Sequence, residues 1–159
     1  MRRVYSSYIK GQIESQPESI ILFLPYYDTT DKVREVLESK GIRVRELEKQ
    51  GSIVLIDIIT LLRNQSLDVP DIGRLSAIIT KLESQYPNKT IFVIADMSVF
   101  HHLKKAKELL EYEKSLHRDI KVDKWKELCL YNERDFLLMF TNNETQQLLE
   151  YHEDKVIKF

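Results

Sequence analysis

The chain has 159 residues, 43% of them hydrophobic and 31% charged, so it is long enough and apolar enough to bury a core of its own. Lysine and arginine (24 residues) balance aspartate and glutamate (25 residues), which removes any general attraction to nucleic acid. The single cysteine, Cys129, excludes an internal disulfide, and every apolar segment is too short to cross a bilayer. We therefore expect one cytoplasmic domain over residues 1–159, with no signal peptide.

The first part of the chain predicts a strand, a helix and a second strand. A weakly amphipathic segment at residues 5–14 precedes the first clear strand, residues 20–26. Residues 28–31 (DTTD) are suited to cap the helix predicted over residues 32–39. The apolar residues between positions 42 and 47 alternate with charged ones, which is typical of a short, half-exposed strand.

The middle of the chain predicts two buried strands with a helix between them. The first strand covers residues 52–57 and runs into a short apolar segment, residues 58–62. After a loop at residues 63–66, Asp68 and Pro70 open a helix whose apolar positions repeat at helical spacing up to residue 86. The second strand, residues 90–96, consists of apolar and β-branched residues up to a terminal aspartate.

The last part of the chain predicts a long helix, a strand and a final helix. The long helix starts after Ser98, and its apolar stripe continues through Glu113 and His117. Residues 124–131 indicate a strand, and Thr141 with Glu144 fits a capping box that opens a helix ending near His152. Residues 156–159 add a short strand or fray.

This alternation of strands and helices predicts an α/β fold, a three-layer, mostly parallel sheet with helices on both faces. In such sheets ligands bind beyond the carboxyl ends of the strands, where the sequence places Asp57, Asp96 and Ser98. The two aspartates could face one another across a cleft and hold a metal or a cationic group. Alternatively, each caps the following helix, which contributes roughly 1 kcal/mol.

Aromatic residues follow the first strand and the central strand. Tyr26 and Tyr27, together with Phe100, could form an aromatic wall of an apolar pocket beside Asp28. Packing at the edge of the core explains the same pattern equally well. His101 and His102 are adjacent, so on a helix their rings point about 100° apart, and we expect them at the helix surface rather than in a chelating pair.

Glu113 is a carboxylate on an otherwise apolar helical stripe, four residues before His117. That spacing allows an ion pair or a hydrogen bond between the two side chains. Burial without a partner would cost on the order of several kcal/mol. Glu113 must therefore pair, line a polar pocket or lie at an edge.

Six short pieces of the sequence follow one another in a recognisable order: residues 40–44 (KGIRV), 51–54 (GSIV), 94–98 (IADMS), 110–113 (LEYE) with Leu116, 128–131 (LCLY), and His152 with Val156 and Ile157. This order resembles that of the MEDS family, the methanogen/methylotroph, DcmR-like sensory domains, from about residue 8 onward. The resemblance implies a sensory domain, similar to RecA/KaiC-type ATPase cores, that binds a small signal and controls an output by contact. It also marks four motif residues: Glu113, Cys129, Tyr131 and His152.

The sequence departs from this family in two respects. Family members of ordinary length begin with a further strand and helix upstream of the segment that matches residues 8–11, so we expect a sheet shortened at the N-terminus. The turn at residues 26–31 has no glycine and no lysine, and it carries two carboxylates. A phosphate-binding loop needs a glycine-rich backbone and a lysine, so ATP hydrolysis is not expected.

Cys129, Tyr131 and His152 match a trio that recurs in the family. A thiol and an imidazole could support nucleophilic chemistry. However, no third orienting group lies at a recognisable spacing, and a cysteine buried in an apolar strand is usually an inert packing residue.

We predict a non-catalytic sensory domain that binds a small organic ligand and passes the signal to a regulatory partner protein, in transcription or two-component regulation. No catalytic residue, cofactor, resident metal, nucleic acid or membrane contact is predicted. The candidate ligand-binding residues are Tyr26, Tyr27, Asp28, Asp57, Asp96, Ser98 and Phe100. The alternative is a degenerate ATPase-like assembly subunit that acts by oligomerisation, because a missing strand would leave an edge open to a second copy and favour a homodimer.

Overall fold

Four parallel strands form the centre of the computed structural model, which describes residues 1–62, 72–119 and 125–152, with side chains over residues 1–61, 75–114 and 126–152. The strands are β1 (Ile20–Leu24), β2 (Ile53–Leu55), β3 (Ile91–Asp96) and β4 (Trp125–Leu130), in the spatial order β2-β1-β3-β4. The described helices are α1 (Arg2–Ser15), α2 (Thr30–Ser39), α3 (Val44–Lys49), α4 (Ile58–Leu62), α5 (Ile72–Gln85), α6 (Ser98–His102), α7 (Ala106–Asp119), α8 (Glu133–Met139) and α9 (Asn142–Tyr151).

Helices cover both faces of the sheet, so the domain has three layers. Alternate residues of β1 point to opposite faces: Leu22 packs into one core with α4 to α7 and α9, whereas Phe23 packs into the other with α1 to α3. Both faces of β1 and β3 are therefore apolar, which explains their uninterrupted apolar sequences. Within the described residues, no helix combines the length and the apolar character that crossing a membrane requires.

Most of the predicted elements are confirmed. β1, β2, β3 and β4 lie inside the strands predicted over residues 20–26, 52–57, 90–96 and 124–131, and the fold is the predicted three-layer α/β arrangement. The capping box is present, since Thr141 Oγ1 accepts the Glu144 N–H and a Glu144 carboxylate oxygen accepts the Thr141 N–H. The loop at residues 63–66, the helix opening at Asp68 and Pro70, and residues 156–159 lie outside the described residues.

The predicted strand near residues 42–47 is wrong, because this segment forms helix α3. Gly41 ends α2 with a φ of 79°, and Gly51 ends α3 with a φ of 71°. In both cases the next residue donates its N–H five residues back, Ile42 to the Leu37 carbonyl and Ser52 to the Leu47 carbonyl. Two helices that each end at a glycine thus follow one another. The second was predicted as a strand because its apolar and charged residues alternate over a short stretch.

The predicted long helix after Ser98 is also wrong, since it is divided into α6 and α7. Lys104 adopts a φ of 56°, and Lys105 donates its N–H to the Phe100 carbonyl over 2.8 Å. This is the same helix-terminating arrangement as in α2 and α3, here with lysine in place of glycine. The break was invisible in the sequence because the apolar stripe continues across it at helical spacing.

Candidate functional site

The strand order changes direction beside β1, which pairs with β2 on one side and with β3 on the other. A parallel α/β sheet with this order forms a crevice between the carboxyl ends of β1 and β3. Four residues lie there, and we call them the switch-point site: Tyr26 and Tyr27 after β1, and Asp96 and Ser98 at the end of β3.

Asp96 connects the two sides of this crevice. Its side chain is 3% exposed; Oδ2 accepts the backbone N–H of Tyr27 over 3.3 Å, and Oδ1 accepts that of Ser98 over 3.2 Å. Burial raises the pKa of Asp96, and hydrogen bonding by the backbone and side chain of Ser98 and by the backbone of Tyr27 and Tyr26 opposes that rise only in part. Asp96 therefore both caps the turn into α6 and holds the loop that follows β1.

Ser98 supplies a second polar group at the same place. Its side chain is 2% exposed, and its Oγ makes no well-formed hydrogen bond among the described residues, although it lies near enough to Asp96 to lower the pKa of that carboxyl. A buried polar atom without a partner costs on the order of 1–3 kcal/mol, so such an atom calls for an explanation. A ligand or an ordered water in the crevice would satisfy it.

Aromatic and acidic side chains from α6 and α8 surround the exposed side of the crevice. The Tyr27 hydroxyl donates to Asp135 of α8, and this bond, followed by burial, raises the pKa of Tyr27 to about 12. His101 Nδ1 lies 3.5 Å from Asp135 Oδ1, and the Tyr26 ring lies 5.2 Å from Tyr27 and 5.8 Å from His102. The loop after β1, α6 and α8 therefore meet around one carboxylate.

The structure does not bring Asp57 to this site. Asp57 Oδ1 accepts the N–H of Ile59 over 2.8 Å and that of Thr60 over 3.3 Å, so it caps α4 as the alternative interpretation expected. Because β1 lies between β2 and β3, two strand spacings, roughly 10 Å, separate the strands that lead to Asp57 and Asp96.

Asp28 and Phe100 also serve the packing of the fold. Asp28 is 8% exposed; Arg2 Nη2 lies 2.6 Å from its Oδ1, and the Tyr5 hydroxyl donates to its Oδ2 over 3.0 Å. This pairing with Arg2 lowers the pKa of Asp28. It also joins α1 to the loop after β1. Phe100 is 4% exposed and stacks on Tyr112 at 6.4 Å inside a core.

The four motif residues come together in a second place, on the face of β4 that packs against α7 and α9. Cys129 on β4 and Tyr131 just after it lie two residues apart and so face the same side. The Tyr131 hydroxyl donates to Glu113 Oε1 on α7, and Glu113 Oε2 lies 3.4 Å from His152 Nε2 at the end of α9. The donor atoms of Glu113, Cys129 and His152 all lie within 4.8 Å of one another.

Glu127 completes this group, which we call the β4 cluster: Glu113, Glu127, Cys129, Tyr131 and His152. Glu127 Oε1 accepts the Tyr112 hydroxyl over 2.9 Å, and burial, reinforced by the negative charge of Glu113, raises the pKa of Glu127 to about 8. Burial and the neighbouring carboxylates also raise the pKa of the Cys129 thiol well above its ordinary value. In this form the thiol is protonated at neutral pH and is a poor nucleophile.

The structure resolves how Glu113 tolerates burial. Its side chain is 3% exposed and pairs with Tyr131 and His152, which are distant in sequence. The predicted partner His117 has a side chain outside the described part of the chain. The carboxylate therefore both pairs and lines a polar cluster, as two of the three expected alternatives required.

Sequence reasoning missed Glu127 and Asp135. Glu127 had a usable signal, because it precedes Cys129 by two residues in a predicted strand and must share its face. Asp135 was missed because α8 was missed. Its signal was Asn132, which caps α8 by accepting the Arg134 N–H over 3.0 Å, followed by two acidic residues in the first turn.

These observations define a three-layer, parallel α/β domain. It has a crevice at the switch point, the position where such sheets bind ligands, and a buried polar cluster beside β4. The family model of the MEthanogen/methylotroph, DcmR Sensory domain matches residues 1–153. The chain belongs to this MEDS family, and its role is therefore sensory. No curated protein matches the chain.

Proposed function

We propose that the domain is a non-catalytic, cytoplasmic sensor that binds a small organic molecule at the switch-point site and passes the signal to a regulatory partner protein. The observation that carries the proposal is the buried Ser98 hydroxyl, which makes no well-formed hydrogen bond among the described residues and lies beside the buried carboxylate of Asp96. Membership of a sensory family supports the same role.

The chemistry of the site favours a ligand that carries a hydrogen-bond donor, such as a small amine or alcohol. Each Asp96 oxygen accepts one backbone N–H and retains a lone pair for a ligand. The Ser98 hydroxyl can donate or accept, and the rings of Tyr26 and His102 offer apolar contact. The protonated Cys129 thiol lies outside this site and supports a binding role rather than nucleophilic catalysis.

Helix α8 is suited to pass the signal on. It is joined to the loop after β1 by the Tyr27–Asp135 hydrogen bond, so a ligand that displaces Tyr27 would release or shift α8. The outer surface of α8 carries Leu137 and Leu138, which are 69% and 67% exposed. Movement of this helix would change the apolar surface that the domain offers to a partner protein.

Native mass spectrometry of the freshly purified chain, followed by thermal unfolding with a panel of small primary amines, alcohols and carboxylates, tests this proposal. A donor-bearing compound at 100 times its Kd adds about 2.7 kcal/mol to the free energy of unfolding. Ser98→Ala should abolish that gain, and its unfolding without any compound, measured first, shows that the variant is folded. Asp57→Asn is the matched control and should keep the gain. A panel without any effect on a chain free of adducts, or a gain that survives Ser98→Ala, would contradict the proposal.

Assembly through a sheet edge is the second candidate function. β4 lies at one end of the described strand order and has six residues, a length sufficient to pair with another strand. Such pairing would produce a homodimer. Analytical ultracentrifugation distinguishes the two, since a stable dimer with no ligand response favours assembly and a monomer that responds to a ligand favours the sensor.

A further inference from the structure

The β4 cluster brings together three side chains of different donor chemistry: a carboxylate oxygen, a thiol sulfur and an imidazole nitrogen. We propose that Glu113, Cys129 and His152 form a binding site for a thiophilic divalent cation of the Zn²⁺ type. Within the described part of the chain, this is the group of three potential metal ligands whose donor atoms lie within 4.8 Å of one another. The proposal is separate from the switch-point site and does not depend on it.

The distances suit a tetrahedral site. His152 Nε2 and Glu113 Oε2 are 3.4 Å apart. Zinc bonds of about 2.0–2.1 Å at tetrahedral angles place two such ligand atoms roughly 3.3 Å apart. A thiolate at about 2.3 Å from the same ion lies roughly 3.6 Å from the other ligands, so the distances from the Cys129 sulfur, at most 4.8 Å, have to shorten by no more than about 1.2 Å.

The hydrogen bonds of His152 place a lone pair toward the cluster. His152 Nδ1 lies 2.9 Å from the Leu148 carbonyl oxygen, which can only accept, so the proton belongs on Nδ1. In the neutral ring Nε2 then presents a lone pair to the Glu113 carboxylate. A cation between Nε2 and the carboxylate would be bound by both groups. Metal-bound histidines usually donate their other ring N–H to a carbonyl or carboxylate oxygen in the same way.

Two further side chains support the proposed ligands. The Tyr131 hydroxyl donates to Glu113 Oε1, which fixes the carboxylate with Oε2 toward His152. Glu127 Oε2 is buried and makes no well-formed hydrogen bond among the described residues, although the Cys129 thiol lies near enough to lower the pKa of Glu127. A water bound to the cation in a fourth position would give this oxygen a partner, because Glu127 lies two residues from Cys129 on the same face of β4.

The donor set also decides the class of metal. Thiolate and imidazole ligands select Zn²⁺ and related transition metals, whereas Mg²⁺ and Ca²⁺ require all-oxygen sites. Glu113 and Glu127 are the acidic side chains of the cluster, and no described lysine or arginine forms an ion pair with either of them. A divalent cation would balance the charge of Glu113 and of a Cys129 thiolate, and three protein ligands leave one position open, as in zinc sites that bind a further molecule.

Cobalt titration of the full chain, reduced and freed of metal by a chelator, tests the proposal. We expect one Co²⁺ per chain, the intense visible bands of a four-coordinate ion and a near-ultraviolet thiolate-to-cobalt band, all displaced by Zn²⁺. Cys129→Ser should abolish the charge-transfer band. Tyr131→Phe should keep the band and weaken affinity about 10–100-fold, as second-shell changes do. His101→Asn is the matched control, because His101 also faces a carboxylate, and it should bind like the wild type.

Thermal unfolding in chelator and with added Zn²⁺ shows which variants are folded before their spectra are compared. Zn²⁺ should raise the unfolding temperature of the wild type and of His101→Asn. If Cys129→Ser does not fold, Glu113→Gln and Tyr131→Phe carry the test through their affinities. No charge-transfer band at millimolar Co²⁺, a band that persists in Cys129→Ser, or equal weakening by His101→Asn would overturn the site.

Discussion

The hydrogen bond between Tyr131 and Glu113 provides a quantitative test of the β4 cluster in the metal-free protein. Tyr131→Phe removes the hydroxyl and keeps the ring, which packs edge-on against Phe136 at 5.4 Å and His152 at 6.5 Å. Glu113→Gln keeps the shape of the acceptor and removes its negative charge. The two changes and their combination form a double-mutant cycle.

The size of the effect follows from the burial of both groups. Glu113 is 3% exposed, and a hydrogen bond to a charged group contributes about 1.5–3 kcal/mol. We therefore expect Tyr131→Phe to lower the free energy of unfolding by about 2 kcal/mol. In the Glu113→Gln background the same change removes a bond to a neutral acceptor, worth about 1 kcal/mol. The expected coupling is the difference, about 1 kcal/mol.

Urea unfolding at neutral pH, with reductant and chelator present, measures these values. With a urea dependence of about 1–3 kcal/mol per molar, a 2 kcal/mol loss moves the midpoint by roughly 1 M. Tyr8→Phe is the control, because Tyr8 is a half-buried tyrosine on α1, packed against the other core. Its change should stay within about 0.5 kcal/mol. A coupling below about 0.3 kcal/mol would refute a charged, hydrogen-bonded Glu113 in this cluster.

Three further predictions concern the scaffold, and urea unfolding checks each. Thr141→Ala should cost about 1 kcal/mol by removing the N-cap of α9, whereas Thr141→Ser should keep most of that contribution. Gly41→Ala should cost about 1 kcal/mol for its positive φ alone, because its added Cβ meets open space; Gly51→Ala should cost more, because its Cβ would lie 2.2 Å from the Tyr86 hydroxyl oxygen. Arg2 lowers the pKa of Asp28 below its ordinary 3.8, so the stability that Asp28 contributes is present above pH 3.8 and is lost as the pH falls through the folded-state pKa. The free energy of unfolding of Asp28→Asn should therefore fall less steeply with acid than that of the wild type.

The strands of this fold were predictable because burial on both faces leaves a direct trace in the sequence. β1 and β3 are apolar at every position before their ends, and only a strand covered on both sides needs that pattern. Helix ends were harder to predict. α6 ends because Lys104 adopts a left-handed conformation. Lysine rarely adopts this conformation, so the local sequence does not predict it.

The candidate site was predictable only in part, because local sequence patterns do not reveal which elements meet in the fold. Asp96 was found because the carboxyl end of a central strand is a fixed landmark of α/β sheets. Asp57 was grouped with it by the same rule, but the strand order that separates them is a tertiary property. The pairing of Glu113 with Tyr131 and His152 joins three separate elements, so the helical spacing to His117 gave a local alternative that the fold did not use.

The two sites occupy neighbouring strands, which links the two proposals physically. β3 and β4 pair with Ala95 opposite Cys129 and Asp96 opposite Leu130, and the Leu130 carbonyl accepts the Met97 N–H over 2.9 Å. The chain then runs from Tyr131 directly into α8, which returns to Tyr27 through Asp135. A cation that tightens Tyr131 against Glu113 would thereby fix the start of α8. Any coupling must be reciprocal, so a ligand that moves α8 would change metal affinity by the same factor as the metal changes ligand affinity.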